Sequence, residues 1–180
     1  MKSEAIVELG KPLQTIETET PEPKGNEVLL KITHSGVCHS DVHIHDGYFD
    51  LGGGNKLPVG AMLNLPHTMG HEIEGEVVSI GPEVTEVEIG SHVVAYPWIG
   101  CGECATCKAG DEHYCNAPRQ LGIQLPGGFA DYCIVPDSKY VLDYEGIRPG
   151  LAATYMCSGL TAFGALKKFV NISDDDHILI

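Results

Sequence analysis

"EIEGEVVSIG", Glu72–Gly81, gathers β-branched residues and closes on a glycine. Such a run reads as a strand, because branched side chains suit a pleated surface and a glycine lets the chain turn away. Working outward, the turn-forming "GPEVTEVEIG" (81–90) separates it from a second run, "HVVAYP" (92–97). Upstream, "TPEPKGN" (20–26) leads into the strand-like "EVLLKIT" (27–33), and downstream "GGFADYCIVP" (127–136) and "YVLDY" (140–144) are two more. Short strands at regular spacing, punctuated by Gly and Pro, predict a mainly β fold with a compact barrel or sandwich-like body.

The texture changes at Arg148. "RPGLAATYMCSGLTAFGALKKFV" (148–170) is rich in helix formers and ends on basic residues, which predicts one or two helices interrupted around Ser158–Gly159. "NISDDDHILI" (171–180) adds an acidic turn and the opening of an apolar strand. The expected organisation is a β domain over 1–150, followed over 151–180 by a linking helix and the start of a second domain. "FDLGGGNKLPVGAMLNLP" (49–66) holds successive glycines and two prolines, which predicts a long mobile loop without strand or helix.

A chain of 180 residues fits one ordinary domain. Its 25 acidic and 11 basic residues leave a net charge of −14, which repels phosphate backbones and argues against nucleic acid as a partner. No apolar run approaches the roughly 18 residues that suggest a membrane span. "MKSEAIVELGKP" (1–12) lacks the apolar stretch of a secretory leader, so a cytoplasmic location is expected.

Four of the seven cysteines crowd into "CGECATCKAGDEHYC" (101–115). Cys101, Cys104, Cys107 and Cys115 stand at C-x2-C-x2-C-x7-C, a pattern that points to a thiolate metal site rather than disulfides in a chain without a leader. Four thiolates close a tetrahedron around zinc with no open position, which is a structural site. An iron–sulfur cluster is the competing reading, since four cysteines ligate those as well. His113, inside the run, is a spectator to a filled tetrahedron.

"GVCHSDVHIHDG" (36–47) packs one cysteine, three histidines and two aspartates into one segment. "MGHEIEG" (69–75) places His71 beside Glu72, and "YMCSGLTA" (155–162) places Cys157 at a helix start. Taken singly, His71 reads as a satisfied structural histidine and Cys157 as an ordinary buried thiol. Taken in order, "GVCHSDVH", "GHEIEG", the four-cysteine run, "GGFADY" and "CSGLTA" resemble the zinc-dependent medium-chain alcohol dehydrogenases. That family's catalytic domain is a GroES-like β-barrel. The resemblance runs from about residue 4 to the end of the chain and covers roughly the first half of a family member.

The resemblance implies that Cys38, His71 and Cys157 are the three protein ligands of a catalytic zinc, with the fourth position open to water or substrate. Ligands so far apart in sequence converge only once the β body has folded. Asp41 is implied as the hydrogen-bond support of His71 or the zinc surroundings, and Glu72 as a group near the metal that transiently coordinates or tunes it. Ser40 and His43 resemble the family's proton relay, which carries the alcohol proton to solvent. His39 sits where the family faces the cofactor pyrophosphate or ribose, and Thr161 matches a nicotinamide contact. Phe49 and Trp98 fall where the substrate pocket is lined, with core packing as the alternative.

The sequence also departs from the family pattern. Cys38 and His71 are farther apart than in many members, the surplus being the glycine-rich loop beside the implied pocket. Ser91 stands where an aspartate is usual, and Cys133 fits no ligand role and reads as a buried strand residue. "HILI" (177–180) looks like the opening of the first Rossmann strand, after which the dinucleotide fingerprint would come. The chain therefore reads as a fragment, with NAD or NADP binding and turnover expected only in the complete enzyme, itself expected to be a homo-oligomer. The implied function is reversible oxidation of a primary or secondary alcohol to an aldehyde or ketone, with two zinc ions per chain. The alternatives are a zinc polyol dehydrogenase or reductase on the same scaffold, and a non-catalytic zinc-binding module.

Overall fold

The structure, a computed structural model, describes residues 1–169 and 177. In chain order its strands are β1 (Lys2–Ile6), β2 (Gln14–Glu17), β3 (Val28–Gly36), β4 (Tyr48–Asp50), β5 (Lys56–Pro58), β6 (His67–Thr68), β7 (Glu72–Ile80), β8 (His92–Ala95), β9 (Tyr132–Val135) and β10 (Val141–Asp143). The α-helices are α1 (His39–Asp46), α2 (Ala105–Lys108) and α3 (Ser158–Lys167). The fold is mainly β with a few helices, as the strand spacing predicts. Among the described residues no helix is long and apolar enough to cross a membrane.

The opening stretch is the centre of the molecule. Strand β7 lies in the middle of a five-stranded antiparallel sheet of order β10-β8-β7-β3-β9. Its Ile73 and Val77 are fully buried and pack with Val28, Leu30, Val93, Ala95, Leu121 and Val135 in the main core. The first four residues of β7 are all buried, so the strand does not alternate there between core and solvent. Two of them, Glu72 and Glu74, are carboxylates, and buried charge demands partners.

A second sheet has the order β2-β1-β6. It joins the first through residues 129–131, whose backbone bonds to β1 run from Glu4 N to Phe129 O (2.8 Å) and from Asp131 N to Lys2 O (2.9 Å). Both β1 and β2 escape the sequence reading, because "SEAIVE" and "QTIE" are short and carry little branched content. A small cluster of Ile6, Ile44 and Met69 lies beneath α1 and seats it against this sheet. Helix α1 has poor helix formers throughout, so the burial of Asp41 and Ile44 sustains it rather than propensity.

Three expectations need correction or placing. The segment 49–66 is not a plain loop. It holds the end of a two-stranded hairpin, with Tyr48↔Pro58 and Asp50↔Lys56 in register, and a 3₁₀ turn at Gly60–Met62. The glycines Gly52, Gly53 and Gly54, all at positive φ, form the hairpin's turn rather than dissolving the structure. The helical break falls at Cys157, one residue earlier than Ser158–Gly159. Cys157 has φ −130° and ψ −76°, while Ser158 already begins α3 behind a 3₁₀ turn at Ala153–Met156. That turn packs against β3, β7 and β8. The strand expected at 177–180 lies outside the described residues, apart from His177.

Candidate metal centre and its surroundings

Three segments meet at one point. Cys38 lies between β3 and α1, His71 directly precedes β7, and Cys157 separates the 3₁₀ turn from α3. Their ligand atoms all lie within 4.8 Å of one another, and the two sulfurs, 119 residues apart in sequence, are separated by 3.8 Å. Folding thus brings together the three residues that the resemblance groups.

His71 is fully buried. Its Nδ1–H donates to Asp41 Oδ1 at 3.1 Å, which leaves Nε2 as the ring atom that could bind a metal. Nε2 is buried and has no hydrogen-bond partner among the described residues. An unsatisfied buried polar atom costs about 1–3 kcal/mol, and this one is grouped with two thiols. Two sulfurs and one imidazole nitrogen match the three protein ligands of a catalytic zinc site, so the residues fit that metal.

The electrostatics agree. Burial alone would push the His71 pKa down, yet the Asp41 carboxylate and the Cys157 thiol carry it up to about 11. The surroundings favour positive charge at this point. Burial also raises the Cys38 thiol, but the Ser40 amide, the neighbouring His71 ring and the Ser40 hydroxyl bring it below its ordinary value. Cys157 stays above its ordinary value because burial outweighs its contact with His71.

Asp41 aligns two of the three segments. Oδ2 accepts from Cys38 N (2.9 Å), and Oδ1 accepts from Gly70 N (3.2 Å) as well as from His71. Gly70 has φ +92°, and a Cβ there would lie 2.6 Å from Phe129. The sharp turn that delivers His71 therefore accepts only glycine.

The remaining residues singled out in the sequence lie on α1, on the hairpin, between β8 and α2, on β7 and on α3. Ser40 and His43 lie three apart on α1, on one helix face. His43 stacks between His39 (ring centroids 4.6 Å apart) and Phe49 (4.7 Å). Phe49 thus reaches α1 from the hairpin. Trp98 packs edge-on against His71 (5.9 Å), and its Nε1–H donates to Met156 O at 2.9 Å. Thr161, one turn into α3, lines a cleft of about 660 Å³ with Trp98, Tyr96 and Phe163. Glu72 is not among the clustered ligand groups. Its Oε1 accepts from both the amide (3.0 Å) and the hydroxyl (2.9 Å) of Ser158.

The four-cysteine run folds into a lobe around α2. Cys101, Cys104, Cys107 and Cys115 place their sulfurs within 4.8 Å of one another. Backbone amides already face those sulfurs: Cys104 N bonds Cys101 Sγ, Cys107 N bonds Cys104 Sγ, and Cys101 N bonds Cys115 Sγ, each at 3.4 Å. Amides of Glu103 and Cys104 bring the Cys101 thiol down to about 6, whereas burial pushes Cys107 up to about 12. Glu112 fastens the lobe to the barrel, accepting from Lys139 Nζ (2.8 Å), Gly100 N (3.2 Å) and the Tyr140 hydroxyl. Cys133 is a buried residue of β9, as its strand context predicts.

Five supporting residues escape the sequence reading. Glu74, Ser158, the Glu112–Lys139 pair and His45, whose ring bonds Lys11 O and Asp46, carry no local motif. For Glu74 the sequence offers no signal, because Glu72, Glu74 and Glu76 alternate with Ile73, Gly75 and Val77 as on a strand with one solvent face.

Comparison with known proteins gives the class. Residues 24–145 match the family model of the alcohol dehydrogenase GroES-like domain, and the chain belongs to that family. It is 42% identical over 168 residues to an NAD-dependent alcohol dehydrogenase of Saccharolobus solfataricus, a match covering 93% of this chain and 48% of that protein. Among solved structures, it resembles a cobalt- and zinc-bound thermostable alcohol dehydrogenase from Pyrobaculum aerophilum (TM-score 0.79, 30% identity, 94% of this chain and 49% of that one). It also resembles a D-arabinose dehydrogenase from Sulfolobus solfataricus (TM-score 0.76, 29% identity, 93% and 48%). The chain spans about half the length of the curated relatives it matches.

Proposed function

We propose that this chain is the metal-bearing catalytic part of a zinc-dependent alcohol dehydrogenase, which interconverts an alcohol and its aldehyde or ketone with hydride transfer to NAD or NADP. The observation that carries the reading is the buried, unpartnered Nε2 of His71 grouped with the thiols of Cys38 and Cys157. Cys38, His71 and Cys157 hold the catalytic zinc, and Cys101, Cys104, Cys107 and Cys115 hold a second, structural one. Bound zinc supplies Lewis acidity toward the substrate oxygen.

The chain's own residues do the rest. Asp41 orients His71 so that its Nε2 faces the two thiols. Ser40, whose hydroxyl lies against Cys38, accepts the alcohol proton and passes it toward His43 on the same helix face. His39 faces the cofactor's phosphates, and its stacking on His43 keeps the two rings in register. Trp98 and Thr161 line one cleft, where substrate and nicotinamide would meet, and Phe49 packs on His43. The likeness to a D-arabinose dehydrogenase keeps a polyol or sugar substrate as the second reading.

Metal analysis tests the centre. The expected outcome is two zinc ions per chain, one released by chelators and one resistant. A protein that folds with a single resistant metal would sink the catalytic reading. Reduction of NAD and NADP by the full-length protein with simple alcohols, aryl alcohols and polyols then separates the substrate classes.

A further inference from the structure

Strand β7 begins directly after His71, and its first and third residues are the buried carboxylates Glu72 and Glu74, 2% and 1% exposed. Among the described residues neither finds a cation from Lys or Arg. Both take partners from the chain around Cys157, and Glu74 also bonds His34 of β3. Glu74 Oε2 accepts from Gly150 N at 2.8 Å, and its Oε1 accepts from the Tyr144 hydroxyl and from His34 Nδ1–H, each at 3.1 Å. Glu72 Oε1 accepts from the amide and hydroxyl of Ser158. The two carboxylates therefore grip residues 150 and 158, on either side of Cys157.

The local geometry is built for this grip. Gly150 has φ +81°, and a Cβ there would come within 3.2 Å of the His34 ring that bonds Glu74. Ser158 is the first residue of α3, whose amide has no partner within the helix, and Glu72 satisfies it. Cys157 itself sits outside helical geometry with no side-chain cap, so its position follows from what holds its neighbours.

We infer that Glu74, together with Glu72 and Ser158, is a positioning residue that registers Cys157 against His71 and so sets the metal affinity of the three-ligand centre. This rests on the reading of that centre as a metal site. Glu74 touches none of the three ligand residues; it acts through the Tyr144–Gly150 loop. The four-cysteine lobe shares none of these contacts and serves as an internal control.

The test is zinc affinity of the chelator-labile site, by competition with a chromogenic chelator, in the full-length protein. The absorption spectrum of cobalt placed in that site reports its thiolate ligands. Glu74→Gln is expected to weaken the labile site on the order of 10-fold or more, the usual range for groups that orient metal ligands. The cobalt–thiolate band should weaken or shift, and the resistant metal should stay at one per chain. Tyr144→Phe and Ser158→Ala, each removing one hydroxyl, should show smaller losses in the same direction and keep the test open if Glu74→Gln fails to fold. Unchanged labile-site affinity and cobalt spectrum in Tyr144→Phe and Ser158→Ala, or in a folded Glu74→Gln, overturns the inference alone. A wild type without a labile metal overturns the metal-centre reading as well.

Discussion

The two cysteine-bearing centres are built in opposite ways. The lobe takes four sulfurs from one short run, and amides of that same run point at them. The three-residue centre takes its atoms from the ends of β3, the start of β7 and the start of α3. A local site can assemble with its own loop, so the metal and the loop stabilise each other. A dispersed site assembles only with the whole sheet, and its precision comes from buried carboxylates at a distance.

Substitutions should break the comparison to different degrees. The largest effect is expected from Cys104→Ser, because a structural zinc contributes folding free energy directly. The lobe should lose its resistant metal and become open to proteolysis, and a variant that keeps that metal through chelation would contradict the closed four-sulfur site. His71→Ala comes next. It should abolish the labile metal and turnover while the lobe metal and the circular dichroism spectrum persist, since the rest of the centre is held by other contacts. Asp41→Ala removes the acceptor of Cys38 N, Gly70 N and His71 at once. A loss of about 10- to 100-fold in labile-metal affinity is expected, read by chelator competition.

His43→Ala should slow alcohol oxidation by the full-length enzyme on the order of 10-fold, below the usual 10²–10⁴ of direct acid–base catalysis because water can replace a relay. The loss should be greatest at low pH, with metal content unchanged. A full rate and an unaltered pH profile would remove His43 from the relay. The smallest effect is expected at the junction of lobe and barrel. Burial raises the Glu112 carboxyl, but bonds from Lys139, Tyr140 and Gly100 leave its pKa below the ordinary value. A carboxyl depressed in the folded state contributes stability that is present above its unfolded pKa and lost as pH falls through the lower, folded one. Glu112→Gln should therefore lower the thermal midpoint at neutral pH and narrow its gap to wild type in acid, as followed by thermal melts across pH.

Much of the fold was legible in the sequence because its signals are local. Branched runs such as Glu72–Ile80 and Tyr132–Val135 declare themselves as strands, and four cysteines at short spacing declare a lobe. The misses have a common cause. Strands β1 and β2, helix α1 and the Tyr48–Pro58 hairpin have weak intrinsic preference and exist through pairing or burial supplied from elsewhere. The break at Cys157 was displaced by one residue because Glu72, 86 positions from Ser158, decides where α3 begins.

By itself, the sequence determined the strand-rich body, the closed cysteine lobe and, through motifs in a characteristic order, the family. Tertiary structure alone decided that Cys38, His71 and Cys157 meet with an unpartnered nitrogen among them, and that Glu72 and Glu74 reach across to the segment holding Cys157. The physical reason is separation along the chain. Short spacings constrain geometry through the backbone, whereas groups as many as 119 residues apart acquire a mutual position only from the packed sheet between them.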